Sequence, residues 1–135
     1  YWKEKMTYRT IDELKYYGSD FNKWIALNCT KKMIVNNIDC IMFKYSKNIL
    51  RIIESKHKRE KSSDSQQLLL RMLARAGQTR DDNNNIVNIE VYMIIGDVPY
   101  DFVDILRVNN NEAKFQISNQ NLIKFLNFET DFKNL

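Results

Sequence analysis

Two acids and a lysine are the residues here whose types and spacing could do chemistry. Asp39 opens an alternating run through Lys44, and Glu54-Ser55-Lys56 closes a second apolar run that starts at Ile49. Tyr45-Ser46-Lys47-Asn48 lies between them and is polar enough to turn. Take 38–44 and 49–56 as antiparallel strands, with the turn centred between Ser46 and Lys47. Asp39 then faces Glu54, Ile41 faces Ile52, and Phe43 faces Leu50. Directly opposed Cβ atoms lie about 4.5–5.5 Å apart. Side chains alternate along a strand, so Lys56 shares the face of Glu54. Like charges directly opposed in a sheet are destabilising unless something compensates them. A Mg²⁺ or Mn²⁺ ion between Asp39 and Glu54 would do so, since hard cations take carboxylate oxygens. Lys56 could then polarise a water or stabilise a negative phosphoryl oxygen. These are the parts of a metal-dependent phosphodiester hydrolysis.

The elements that must position these groups can be read on either side. Thr10-Ile11-Asp12-Glu13 has the form of a capping box. It predicts helix from there to about residue 28, with a break or restart at Gly18-Ser19-Asp20. Leu14, Tyr17, Phe21, Trp24, Ile25 and Leu27 would form its apolar face. Residues 31–35 lead into the first strand of the hairpin. Ser62-Ser63-Asp64-Ser65 predicts a second helix start, with Leu68, Leu69, Met72, Leu73 and Ala76 as its buried stripe. Gln67, Arg71 and Arg75 fall on another side, and Gly77 is the expected stop. Residues 78–85 read as a polar loop. The run 88–95 reads as a buried strand, and strand–helix–strand predicts a parallel crossover beside the hairpin. Pro99 marks a turn, 102–108 and 114–117 read as short strands, and a last helix follows Ser118, burying Leu122, Ile123, Phe125 and Leu126. Asp97, Asp101 and Asp104 read as loop residues outside the site.

At 135 residues, with 44% hydrophobic and 28% charged content, the chain has the length and composition of one soluble globular domain, 1–135. It begins at Tyr1 rather than Met, so excision from a longer protein with flanking domains is one expectation. No apolar run approaches the roughly 18–20 residues of a membrane span, which predicts no membrane partner. Cys29 and Cys40 have no metal-ligand spacing. They are expected to be free and buried in a reducing compartment, which places the protein inside the cell, in cytoplasm, nucleoid or nucleus. Cys40 alternates with Asp39 and should point into packing on the other face. The net charge of +4 favours an anionic partner. Lys56-His57-Lys58-Arg59-Glu60-Lys61 places four basic residues against one acid at the candidate site. Such runs are often plain solvated surface, but beside paired carboxylates Lys58, Arg59 and Lys61 become candidates for phosphate contacts, as do Arg71 and Arg75. His57 alternates away from Lys56 and reads as a surface residue. Trp2, Tyr8, Tyr16 and Tyr17 could stack on bases, although core packing explains them equally well.

Helix, antiparallel hairpin with Asp and Glu-x-Lys, helix and strand together resemble the core of the PD-(D/E)XK nuclease superfamily over roughly residues 19–97. Asp39 matches the motif's first acid, Glu54 its second and Lys56 its lysine; Ile38 stands where proline often precedes the first acid. The resemblance implies an α/β restriction-endonuclease-like fold, a mixed central sheet with an antiparallel hairpin flanked by helices. It also implies one or two Mg²⁺ (or Mn²⁺) ions held by Asp39, Glu54 and the carbonyl of Ser55, with Lys56 orienting or activating water. Many members add an acid on the first helix, for which Glu13 and Asp20 are both open. Ser63-Asp64-Ser65-Gln66, followed by a Leu-rich helix, is similar to the Ser-x-x-Gln helix of the VRR-NUC branch, and implies that Gln66 supports the site. Archaeal Holliday-junction resolvases are a second similar group. The implied function is hydrolysis of DNA, structure-selective or weakly sequence-selective, and two-strand cutting would favour a homodimer. An RNA endonuclease using the same site, a catalytically silent nucleic-acid-binding module and a protein-interaction domain are the alternatives. Metal-dependent cutting, salt-sensitive binding without cutting, and neither property would separate them.

Overall fold

The computed structural model describes residues 9–10, 20–29, 34–35, 38–60, 64–109 and 113–135. The chain packs as two compact units, Tyr1–Asn37 with Glu60–Leu69 and Ile38–Arg59 with Leu70–Leu135. In the first unit, β1 (Arg9–Thr10) pairs antiparallel with β2 (Ile34–Val35), Arg9 opposite Val35 and Thr10 opposite Ile34. Helix α1 spans Asp20–Asn28. It starts at Asp20, and the expected break or restart at Gly18-Ser19 lies outside the described residues. Thr10 lies in a strand rather than at a helix cap, and the rest of that proposed first helical stretch, including Glu13, Leu14 and Tyr17, lies outside the described residues. Phe21, Trp24 and Leu27, the expected core face of α1, are exposed.

The second unit is built on a hairpin, β3 (Cys40–Lys44) and β4 (Ile49–Lys56). Ile41 opposes Ile52 and Phe43 opposes Leu50, the register that a turn centred between Ser46 and Lys47 requires. Lys47 N–H donates to the Lys44 carbonyl at 3.1 Å and Asn48 N–H to that of Tyr45 at 3.3 Å. Asn48 takes φ 53°, a left-handed conformation that Asn tolerates better than most residues. The chain leaves β4 for α2 (Asp64–Ala76) and returns through β6 (Ile86–Ile95), which lies parallel to β4, Glu54 beside Met93 and Lys56 beside Ile95. That is the expected crossover. Residues 78–85 are not simply loop, because β5 (Gln78–Arg80) pairs antiparallel with the start of β6. The Asp81 carboxylate accepts from the amides of Asn83 and Asn85 and closes this second hairpin. Strands β7 (Phe102–Arg107) and β8 (Lys114–Ser118) extend the sheet antiparallel, giving the order β3-β4-β6-β7-β8 with β5 beside β6. The sheet is therefore mixed, with β4 and β6 its parallel pair.

Both sheet faces are apolar, as expected where a parallel pair is covered on each side. One face carries Ile53, Tyr92, Ile94 and Ile105 against Leu122 and Phe125 of α3 (Asn119–Leu126) and Phe132 of a 3₁₀ turn, Phe132–Asn134. The other carries Ile52, Val91 and Met93 against Leu70, with Leu73 and Ala74 alongside. The buried face of α2 thus runs through Leu70, Leu73 and Ala74. Met72, placed in the stripe by its spacing, is exposed, and so is Leu68. In a leucine run, several phases of a 3.6-residue period fit equally well, and only packing selects one. Cys40 also departs from expectation. It is exposed, because β3 is the sheet's edge strand and the cover reaches only as far as Met42 on that face.

Ser118 caps α3. Its hydroxyl accepts the Asn121 amide at 3.2 Å from an extended backbone. Ser118→Ala should cost about 1 kcal/mol of unfolding free energy, read as a lower urea midpoint at unchanged slope.

Candidate active site

Asp39 sits in a bend one residue before β3, and the β3–β4 register carried one step further sets it opposite Glu54. Its Oδ2 accepts the Ser55 amide at 2.8 Å and the Ser55 hydroxyl at 3.1 Å. These two bonds fix the carboxylate against the last turn of the β4 ladder. Glu54 and Lys56 lie two residues apart on β4 and are both buried, 5% and 6% exposed. Lys56 Nζ stands 3.9 Å from Glu54 Oε1. The sequence left open whether this group was a solvated sheet end; its acid and lysine are instead shielded from water. Ser55, between them, is exposed.

Burial shapes the electrostatics of this site. It pushes the Glu54 carboxyl from its ordinary 4.5 up to about 7, the Asp39 charge adds to the rise, and Lys56 opposes it. An acid held up by a neighbouring acid is the condition that a cation would relieve. The donor set fits such an ion. Mg²⁺ is commonly held by one or two carboxylates, with waters and substrate phosphate completing its shell. Asp39 and Glu54 supply that number, and among the described residues no group of three or more His, Cys, Asp or Glu side chains comes together.

The remaining predicted residues fall in several places. His57, Lys58 and Arg59 are exposed where β4 ends, Arg75 is exposed on α2, and Arg71 is half-buried there. Gln66 is buried on α2 and belongs to the first unit. Asp20 is exposed at the first turn of α1, in that same unit. Lys61, Glu13, Trp2, Tyr8, Tyr16 and Tyr17 lie outside the described residues.

Asp97, read from the sequence as a loop residue apart from the site, joins the end of β4. Its Oδ1 accepts the Lys58 amide at 3.2 Å and lies 3.2 Å from His57 Nδ1. The Lys58 amide, and then His57, hold this exposed carboxyl below its usual range. The signal was available in the parallel pairing. If Lys56 lies beside Ile95, two further steps along both strands bring Lys58 beside Asp97. The Gly96 amide donating to the Lys56 carbonyl at 2.9 Å continues the ladder toward that point. Asp104 lies within the 102–108 run read as a strand and is a β7 residue, its carboxylate 3.5 Å from the Lys114 ammonium.

No protein-family model, curated protein or solved structure matches the chain. No helix among the described residues is long and apolar enough to cross a membrane.

Proposed function

We propose that this protein is a metal-dependent endonuclease of the PD-(D/E)XK type that hydrolyses phosphodiester bonds in DNA. The observation that carries the reading is the convergence of Asp39, Glu54 and Lys56, with Glu54 and Lys56 buried 3.9 Å apart and Asp39 fixed by Ser55. Exposed Asp39 and buried Glu54 share the single cation Lys56, and a metal ion would compensate the second negative charge. Asp39 and Glu54, with the Ser55 carbonyl, would hold Mg²⁺ or Mn²⁺. Such an ion, when bound, supplies Lewis acidity at a phosphoryl oxygen and lowers the pKa of water. Lys56 contributes a fixed positive charge, shielded from solvent, toward which negative charge can develop on the transferring phosphoryl group. Glu54 keeps Lys56 in place and, once ionised above about pH 7, presents an anion to the metal. Lys58, Arg59, Arg71 and Arg75 would contact backbone phosphates. Phosphate contacts position a strand without reading its sequence, so structure-selective or weakly sequence-selective cutting follows.

The test compares cleavage of single-stranded, duplex and branched DNA, and of RNA, in Mg²⁺, Mn²⁺ or EDTA. The expected result is cutting of DNA that requires metal and disappears in Asp39→Ala and Glu54→Ala. Equal activity in wild type and both variants would overturn the assignment. Salt-sensitive binding without cutting would make the protein a silent nucleic-acid-binding module, and preference for RNA would change the substrate but not the site.

A further inference from the structure

The sheet face opposite Glu54 holds a second polar site. Alternation along β4 points Arg51 away from Ile52 and Glu54, into the face covered by α3. Arg51 is buried, its Nε donating to Glu90 Oε1 at 3.0 Å and its Nη1 to the Phe125 carbonyl. Its guanidinium carbon lies 4.0 Å and 3.9 Å from the ring centroids of Phe125 and Phe128, a cation–π enclosure. The Tyr92 hydroxyl donates to the same Glu90 Oε1 at 2.9 Å. Glu90 therefore meets both donors with one oxygen. Its Oε2 makes no hydrogen bond among the described residues, although Arg51 already balances the charge.

A cleft of about 290 Å³ opens over this network, lined by Glu90, Tyr92, Arg107, Asp131, Phe132 and Lys133 together with Ile49. Arg107 lies 5.9 Å from the Tyr92 ring centroid. Neither Arg107 nor Lys133 makes an ion pair among the described residues. With Glu90 balanced by Arg51, these two cations face the single acid Asp131. The cleft thus offers two cations, a carboxylate oxygen of Glu90, and apolar surface from Ile49 and Phe132.

We propose that this cleft binds a nucleotide whose base carries an exocyclic amine. Glu90 Oε2 accepts from the amine, as carboxylates accept from the amino group of cytosine. Ile49 and Phe132 contact the ring, and Arg107 with Lys133 takes the phosphate, a guanidinium being suited to bidentate phosphate contacts. The volume sits at the lower end of ligand pockets, which run about 300–1,000 Å³, so one nucleotide fills it. The site shares no residue with the Asp39–Glu54–Lys56 group and stands whether or not that group cleaves nucleic acid.

Calorimetric titration with cytidine, adenosine, guanosine and uridine monophosphates, and with inorganic phosphate, tests this. EDTA is present throughout, so that no metal anchors phosphate at Glu54. Amino-bearing nucleotides should bind at least about tenfold tighter than uridine monophosphate or phosphate, each kcal/mol lost being about a fivefold change. Arg107→Gln should weaken binding at least about tenfold, and Lys133→Gln, at an exposed position where folding is safe, by a smaller factor in the same direction. Glu54→Gln should leave it unchanged. No binding, equal binding of uridine monophosphate, undiminished binding in both cleft variants, or loss in Glu54→Gln instead would each overturn the proposal.

Discussion

Lys56→Met will lower metal-dependent cleavage by at least about 100-fold and leave the protein folded. Removing one fixed group that stabilises transition-state charge typically costs about 10²–10³ in rate. The loss here should reach that range because Lys56 is shielded from water, where its charge is screened least. A second effect works in the same direction. Lys56 lowers the Glu54 carboxyl against the combined push of burial and Asp39. Without it, Glu54 holds its proton to higher pH and offers less anion to a metal, so Mn²⁺ affinity measured by calorimetry should fall as well. The fold survives because Glu54 can take up a proton and avoid standing as an uncompensated buried charge. Met keeps the length and apolar stem of Lys, so the volume stays filled. Lys56→Arg should fail to rescue, since a planar guanidinium is wider than the ammonium and the position is enclosed. Cleavage within about threefold of wild type in Lys56→Met would remove the lysine from the chemistry and with it the reason for assigning this site.

The hairpin was the most legible part of this chain, for a physical reason. Strand register is set by the turn, and residues 45–48 left one centre that brought Ile41 to Ile52, Phe43 to Leu50 and Asp39 to Glu54 together. A slip by one residue would have broken all three pairings, so agreement among them carried information. The parallel return of β6 was legible from strand–helix–strand order. Burial was much less so. Glu54 and Lys56 are charged residues at a strand end, which composition assigns to solvent, and only the assembled sheet shows them shielded. The phase of α2 was lost because Leu68, Leu69, Leu70 and Leu73 fit more than one face, and Leu70, the residue that reaches the core, was the one omitted from the stripe. The exposed Phe21, Trp24 and Leu27 on α1 follow the opposite error, since apolar spacing describes a face but not what meets it. Asp97 and the Arg51–Glu90–Tyr92 network depend on the register of β4 against β6, segments some 40 residues apart, and strand–helix–strand order predicts that pairing without fixing its register.

Stability should fall as pH rises from 4.5 to 7, and Glu54→Gln should remove that fall. The Glu54 carboxyl titrates near 4.5 in an unfolded chain and near 7 in the folded one, mainly because burial disfavours its charge. Between those values the folded state binds the extra proton. Its contribution to stability is therefore complete below pH 4.5, declines through the interval, and is gone once the pH passes 7. A shift of this size corresponds to roughly 3 kcal/mol between the two ends. Asp97, whose carboxyl is held low, titrates below this interval and does not oppose the trend. Urea midpoints measured at intervals from pH 4.5 to 8.5 should lie close together at the acid end, where protonated Glu54 resembles Gln, and separate toward high pH as wild type alone falls. Parallel curves for wild type and Glu54→Gln would mean that Glu54 titrates as an ordinary surface acid. Added Mg²⁺ turns the same linkage around. A cation binds the ionised carboxylate, so it should stabilise wild type more at pH 8 than at pH 5, by an amount that grows with the ionised fraction. The increment should be absent in Glu54→Gln. If Mg²⁺ stabilised both proteins equally, the ion would be binding elsewhere, and the paired acids would be a strained structural cluster rather than a metal site.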